Sequence, residues 1–299
     1  MTRIAWLLWA STLVGVALPL AWGLLGAWRA RPPGAAVPAA ARPWRAMLGS
    51  MLLYVLAFNL TFFVQEVFLV LPKAMTPGLS PTLFHNNHRW EGEHPLAALF
   101  QGTGALATAA MGLACLWAAR RGAGRTPTRR LLLVWLAFCG LLMALPQVVI
   151  GALSGGSDVG MAMDYLQLSA ATKTILAVLA LVAIPCVALA LLPPALALAE
   201  DASTPRARVR HIGWWIALPA LLAMMAVLPY RVPREWLEVV LLPVLVTVPG
   251  VLWMLAGAAR AGVGAPDVRG RIPLTALFAA ALVLLVFFQC VLRPGVPFY

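Results

Sequence analysis

Eight apolar runs, separated by short connections rich in arginine, proline and small residues, divide the chain at about 4–28, 47–72, 97–119, 131–153, 171–199, 212–229, 236–260 and 273–292. An α-helix rises 1.5 Å per residue, so about 20 residues cross a hydrocarbon core about 30 Å thick. The runs meet that length and predict eight membrane-crossing helices in one domain over residues 1–299. The expected fold is an all-α polytopic integral membrane protein, a bundle of about eight transmembrane helices with both termini outside. The fifth run contains Pro185 and the pair Pro193-Pro194 and is expected to kink or break, because proline lacks the backbone donor a helix needs. The sixth run is the shortest. The first is followed by PPGAAVPAAAR, as a cleaved leader would be. Its apolar stretch is too long for a leader and only Arg3 precedes it, so it reads as a membrane helix.

Composition narrows the class. Hydrophobic residues make up 62% of the chain and charged residues 11%, against about 25% charged in a soluble domain. The net charge of +12 does not indicate nucleic acid, because the basic residues are nearly all arginines in short loops without stacking aromatics. Their distribution sets orientation instead. Arg29, Arg31, Arg42, Arg45, Arg120, Arg121, Arg125, Arg129, Arg130, Arg206, Arg208, Arg210, Arg260, Arg269 and Arg271 all fall on one alternating set of connections. By the positive-inside rule these loops are cytoplasmic, in a bacterial-type inner membrane. Cys115, Cys139, Cys186 and Cys290 lie inside apolar runs without CxxC spacing and read as small core residues. No soluble domain and no internal repeat is evident.

The polar chemistry collects on the other side. The connection after the second run reads LPKAMTPGLSPTLFHNNHRWEGEHPLAALFQGTG and holds three of the four histidines, His85, His88 and His94. A connection this long is functional or disordered, and its prolines and aromatics argue for order. Imidazoles at this spacing, with Glu91 or Glu93 nearby, suit a single transition metal such as zinc, iron or copper. HxxH is common by chance, however, and an interfacial loop anchored by Trp90 is the plain alternative. Within the second run, Asn59, Glu66 and Lys73 recur every seven residues and share a helix face. An acid buried in a span is costly and marks a site by default; the structural alternative is a Glu66 paired with Lys73, Lys173 or an arginine. Gln65 is expected against a neighbouring helix. Asp164 and Gln167 are candidate cavity residues, Arg234 and Glu238 a helix-surface ion pair, and the small residues at 102, 104, 105 and 109 a close helix contact.

These observations predict an outward-facing, metal-dependent membrane enzyme, a hydrolase or oxidoreductase, acting on a lipid-linked or membrane-soluble substrate. His85, His88, His94 and Glu66 are the expected metal ligands, and Glu66, Asn87 and Lys73 the expected catalytic residues. A transporter and a metal- or haem-handling assembly factor are the alternative classes. The apolar inner halves of the helices weigh against the first, and the lack of ligands on facing helix interiors weighs against the second.

Overall fold

In the computed structural model, residues 2–29, 43–262 and 270–299 are described. Among the described residues, eight helices are long and apolar enough to cross a bilayer: α1 (Arg3–Gly26), α2 (Trp44–Ala74), α3 (Leu96–Arg120), α4 (Pro127–Leu153), α6 (Ala170–Leu196), α7 (Pro205–Arg231), α8 (Val239–Ala258) and α9 (Leu274–Leu292). Between α4 and α6 lies a short helix, α5 (Asp158–Tyr165), capped by the Ser157 hydroxyl on the Gly160 amide.

Helices α2 and α4 form the buried centre, and α1 and α9 are the most peripheral. Tyr54 of α2 packs edge-on against Trp135 of α4 with ring centroids 4.9 Å apart, and Trp135 packs edge-on against Phe138 at 5.4 Å. Ser50, Tyr54, Trp135 and Thr247 pair their polar atoms in this core, as a low-dielectric interior favours. The Trp135 indole donates to the Ser50 hydroxyl at 3.0 Å, Ser50 donates to the Trp215 carbonyl at 2.5 Å, and the Tyr54 and Thr247 hydroxyls share a bond of 2.5 Å. Helices α3 and α4 cross where Gly112 meets Gly140; a Cβ on Gly140 would stand 2.6 Å from the Thr108 carbonyl and 2.9 Å from the Gly112 Cα.

Several span ends differ from the sequence pattern, each for a local reason. Helix α2 runs through Pro72 to Ala74 instead of ending at the proline. Pro72 cannot donate to the Phe68 carbonyl, and the Thr103 hydroxyl of α3 does so instead at 2.5 Å. Helix α7 starts at Pro205, seven residues before the apolar run begins. Thr204 accepts from the Ala207 amide and Pro205 occupies the first turn. In α6, Pro185 is carried inside the helix and the interruption falls at Leu191, just before Pro193-Pro194.

The bundle is helical as expected, and one end of it also carries a small sheet. The connection between α2 and α3 folds as an antiparallel hairpin, β1 (Ser80–Leu83) and β2 (His88–Glu91), and the strand β3 (Val296–Pro297) pairs with the free edge of β1. Outside the hydrocarbon, water and loops satisfy the open edges, so a small sheet is tolerated there. The same end carries the N-terminal turn of α1, where Arg3 donates to the Ala152 and Ala170 carbonyls. At the opposite end the arginines are more than free connectors: Arg130 donates to the Ala119, Gly122 and Gly124 carbonyls, and Arg208 to the Ala259 carbonyl. Arg31, Arg42 and Arg269 lie outside the described residues. The four cysteines are free.

Candidate functional site

Strand alternation aims the hairpin chemistry. Successive β2 side chains point to opposite faces, so His88 and Trp90 turn inward while Arg89 and Glu91 are exposed. Glycines with positive φ, Gly78 (+85°) and Gly92 (+92°), bound the hairpin; a Cβ on Gly92 would fall 1.9 Å from the Gly78 carbonyl oxygen. Beneath the hairpin, the face of α2 carrying Asn59, Glu66 and Lys73 is buried. Helix α3 breaks into a turn at Gln101–Gly102, and the side chain of Gln101 is buried at that break.

These elements meet in one hydrogen-bonded cluster. His88 Nδ1 lies 2.9 Å from Glu66 Oε2, and His88 Nε2 lies 2.8 Å from Gln101 Oε1. Lys73 Nζ donates to the same Gln101 oxygen at 2.6 Å and to the Leu69 carbonyl at 2.8 Å. Gln101 Nε2 donates to Asp158 Oδ1 at 2.9 Å. Trp90 closes the group, stacked on His88 at 5.9 Å and 4.8 Å from Lys73 Nζ. Burial raises the Asp158 carboxyl above its ordinary value, the Glu66 charge adds to this, and His88, Lys73 and Arg234 oppose it.

The bonds around Gln101 determine where the His88 protons sit. A lysine ammonium has only protons to give and a carboxylate only lone pairs. Lys73 therefore faces the amide oxygen and Asp158 the amide nitrogen. The oxygen turned to His88 Nε2 can only accept, so Nε2 carries a proton. One further proton is left to lie between Nδ1 and Glu66, as imidazolium–carboxylate or as imidazole–carboxylic acid.

His88 and Glu66 form one wall of a cavity of about 450 Å³. Asn87, Trp90, Gln101, Asp158, Gln65 and Gln147 line it too, with Gln147 Nε2 donating to Gln65 Oε1 at 2.9 Å. Arg231 and Arg234 also line it, as do the apolar Phe62, Ile150, Leu241, Leu242 and Leu245.

The candidate residues from the sequence are distributed unevenly. Glu66, His88 and Asn87 line the cavity. Lys73, fully buried, meets the cavity wall from behind, at Gln101 and Trp90. The expected three-histidine metal set is not brought together. His94 Nδ1 accepts from the Leu96 amide at the start of α3, Glu91 and Glu93 are exposed, and both ring nitrogens of His88 are occupied. Among the described residues no three His, Cys, Asp or Glu side chains converge as a metal site. Lys173 pairs with Asp164 and Gln167 is exposed, so none of the three joins the cavity. The side chain of Glu238, the expected partner of Arg234, lies outside the described residues. Arg234 donates instead to the Asn86 carbonyl.

Asn86 and His85 are structural parts of the hairpin tip. Asn86 Nδ2 donates to the Arg231 carbonyl at 2.8 Å and the Pro233 carbonyl at 3.3 Å, which ties the tip to the arginine-bearing segment 231–234. Asn86→Ala removes both bonds, the one to the Arg231 carbonyl being buried. The expected loss is about 1–3 kcal/mol, read as a lowered Tm of the detergent-purified protein. An unchanged Tm would show that the tip is not held this way.

His85 is buried, without a side-chain hydrogen bond to either ring nitrogen. Burial lowers its pKa; the Val232 carbonyl opposes this, and the charges of Arg293, Arg231 and Arg234 add to it. The fold thus favours the neutral ring, so its stabilising contribution holds at neutral pH and is lost as pH falls below the ordinary value of about 6.5. Amide exchange of residues 84–87, corrected for its intrinsic pH dependence, is expected to speed up on acidification. His85→Leu is expected to flatten that response; identical profiles in the two proteins would refute it.

Sequence reasoning placed Asp158 and Gln101 in the polar cluster at one end without giving them a role, read Arg234 as a partner of Glu238, and did not single out Arg231. The capping pattern Ser157-Asp158 and the alternating HRWE were the available signals. Compared with known protein families, with curated proteins and with solved structures, the chain matches none.

Proposed function

We propose that this protein is a membrane-embedded acid–base enzyme whose site is the cavity under the hairpin, acting on a membrane-soluble substrate. The observation that carries this reading is His88, held between Glu66 and Gln101 in the cavity wall. Glu66 and His88 share a proton that the pair gives to, or takes back from, a bound group. Gln101 keeps the Nε2 proton in place and Lys73 and Asp158 keep Gln101 in place. Acid–base catalysis of this kind contributes about 10²–10⁴-fold. No step requires a metal, and the separated settings of His85, His88 and His94 do not favour one.

The arginine-rich connections at the far end of the bundle support an outward-facing site in a bacterial-type inner membrane. Leu241, which lines the cavity, is also 43% exposed on α8. That supports entry from the bilayer and not from a channel through the bundle. A carrier would need polar lining toward both sides, whereas the polar cluster sits at one end.

The test is to incubate purified protein with a total lipid extract of its native membranes and follow every species by mass spectrometry. At least one species is expected to be consumed by the wild type and spared by the His88→Asn variant. Identical profiles with both proteins would sink the reading.

A further inference from the structure

Two glutamines in the cavity wall hold hydrogen-bonding capacity that the Glu66–His88 pair does not use. Gln65 on α2 is 6% exposed, and Gln147 on α4 bonds to it. Their orientation is fixed from outside the pair. The Met143 carbonyl can only accept, and the Gln147 amide nitrogen lies 3.0 Å from it. That same nitrogen lies 2.9 Å from Gln65, so the Gln65 oxygen turns toward it. Both Gln147 protons are thereby used. What remains is the Gln147 oxygen and the two protons on Gln65 Nε2, none of which has a partner among the described residues. Buried amide groups left unpaired are destabilising and uncommon, and both of these residues line the cavity. A bound group that accepts from Gln65 and donates to Gln147 completes them.

An uncharged head meets that requirement better than an ionised one. A carboxamide carries an acceptor and a donor side by side, and a hydroxyl carries both on one atom. The two glutamines bring no net charge with which to offset a buried ion. Arg231 and Arg234, in the same wall, are engaged within the protein: the Arg231 guanidinium lies 4.5 Å from the Phe62 ring centroid, and Arg234 donates to the Asn86 carbonyl. Ile150 and the α8 leucines Leu241, Leu242 and Leu245 make another part of the wall apolar. Leu241 is also exposed on the surface of α8, which suits a chain reaching in from the bilayer.

We infer that the cavity binds an uncharged amphiphile whose head accepts a hydrogen bond from Gln65 and donates one to Gln147, with its chain along Leu241, Leu242 and Leu245. This rests on the enzyme reading for the choice of cavity and adds the class of molecule that fills it.

Native mass spectrometry of the detergent-purified protein, titrated separately with oleamide, oleate and 1-octadecene at equal mole fractions in the micelle, tests it. The three chains are alike in length and the heads differ. Oleamide is expected to bind at least about tenfold more tightly than either of the others. Gln65→Leu is expected to weaken oleamide by about three- to tenfold and to leave 1-octadecene unweakened. Oleate or 1-octadecene binding as tightly as oleamide overturns the proposal, and so does oleamide binding that Gln65→Leu leaves intact. Thr275→Val, in the apolar groove between α2, α7 and α9, is expected to change nothing; weaker oleamide binding there would put the ligand outside the cavity and also overturn it. A measurement on the wild type alone guards against misfolding of the Gln65 variant. Oleamide, and not 1-octadecene, is expected to slow amide exchange across residues 84–91, and no slowing counts against the proposal. If oleamide fails this ranking while turnover in the native extract still depends on His88, only the ligand class is wrong. If oleamide binds as expected and no species is turned over, the enzyme reading fails and the binding site stands.

Discussion

Glu66→Gln is expected to lower turnover by about 10²–10⁴-fold in a protein that still folds. Gln is nearly isosteric with Glu, so the packing of α2 beneath the hairpin is preserved. What changes is the proton. Glu66 Oε2 faces His88 Nδ1 at 2.9 Å, and an amide there can neither supply a proton nor balance an imidazolium. Gln101 still demands a proton on Nε2. His88 is therefore confined to its neutral Nε2–H form, with Nδ1 accepting from the amide introduced by the substitution. The chain has four histidines, so ¹⁵N-histidine NMR resolves this directly, with His88→Asn assigning the signal. The wild type is expected to show a protonated Nε2, and Gln101→Leu is expected to release the alternative Nδ1–H form bonded to Glu66. A wild-type His88 protonated only on Nδ1 would refute the proton assignment. Full turnover in Glu66→Gln would refute the role of the pair.

The largest effect on stability is expected at the α3–α4 crossing, from a single methyl group. Gly140→Ala places a Cβ 2.6 Å from the Thr108 carbonyl oxygen and 2.9–3.0 Å from the Gly112 backbone. These neighbours are backbone atoms and cannot rotate away, so the helices must separate. Small residues at such crossings let backbones approach in a membrane, where no hydrophobic force drives association. Overpacking of this kind costs about 1–3 kcal/mol and occasionally more. Gly112→Ala meets Leu141 and Gly140 at 2.8–3.1 Å and is expected to do comparable damage. The double variant is expected to fall short of additivity, because both methyl groups push on one contact. Unfolding of the purified protein in a mixed-micelle denaturant series checks this; single variants as stable as the wild type would show that the crossing is looser. Because α3 carries Gln101 and α4 carries Gln147, the shift should also disturb the cavity.

Much of the site's neighbourhood was written in the sequence in one-dimensional form. The seven-residue spacing of Asn59, Glu66 and Lys73 puts them on one helix face in any straight helix, and all three are buried. Histidines, acids and amides crowded beside the hairpin segment told that one end of the bundle carries the chemistry. Their division of labour was not legible. His85, His88 and His94 look equivalent as a string, yet of the three His88 alone lies on β2, whose alternation turns it into the cavity. Lys73 was expected among the catalytic residues, and only the packing showed that its ammonium donates to Gln101 and the Leu69 carbonyl. Asp158 and Arg234 lie 57 and 133 residues beyond Gln101 in the chain, and no local pattern links positions so far apart.

By itself, the sequence determined the membrane class, eight apolar helices and the end of the bundle at which polar groups gather. Each of these follows from length, hydropathy and charge counted along the chain, and the bilayer imposes them segment by segment. The tertiary structure alone decided which polar groups meet. A hydrogen bond needs atoms within about 3 Å, and that distance is set by how α2, α3, α5 and the hairpin pack. The helix-face pattern that buried Glu66 was visible in one dimension; its partner was fixed only when the strand carrying His88 closed over it.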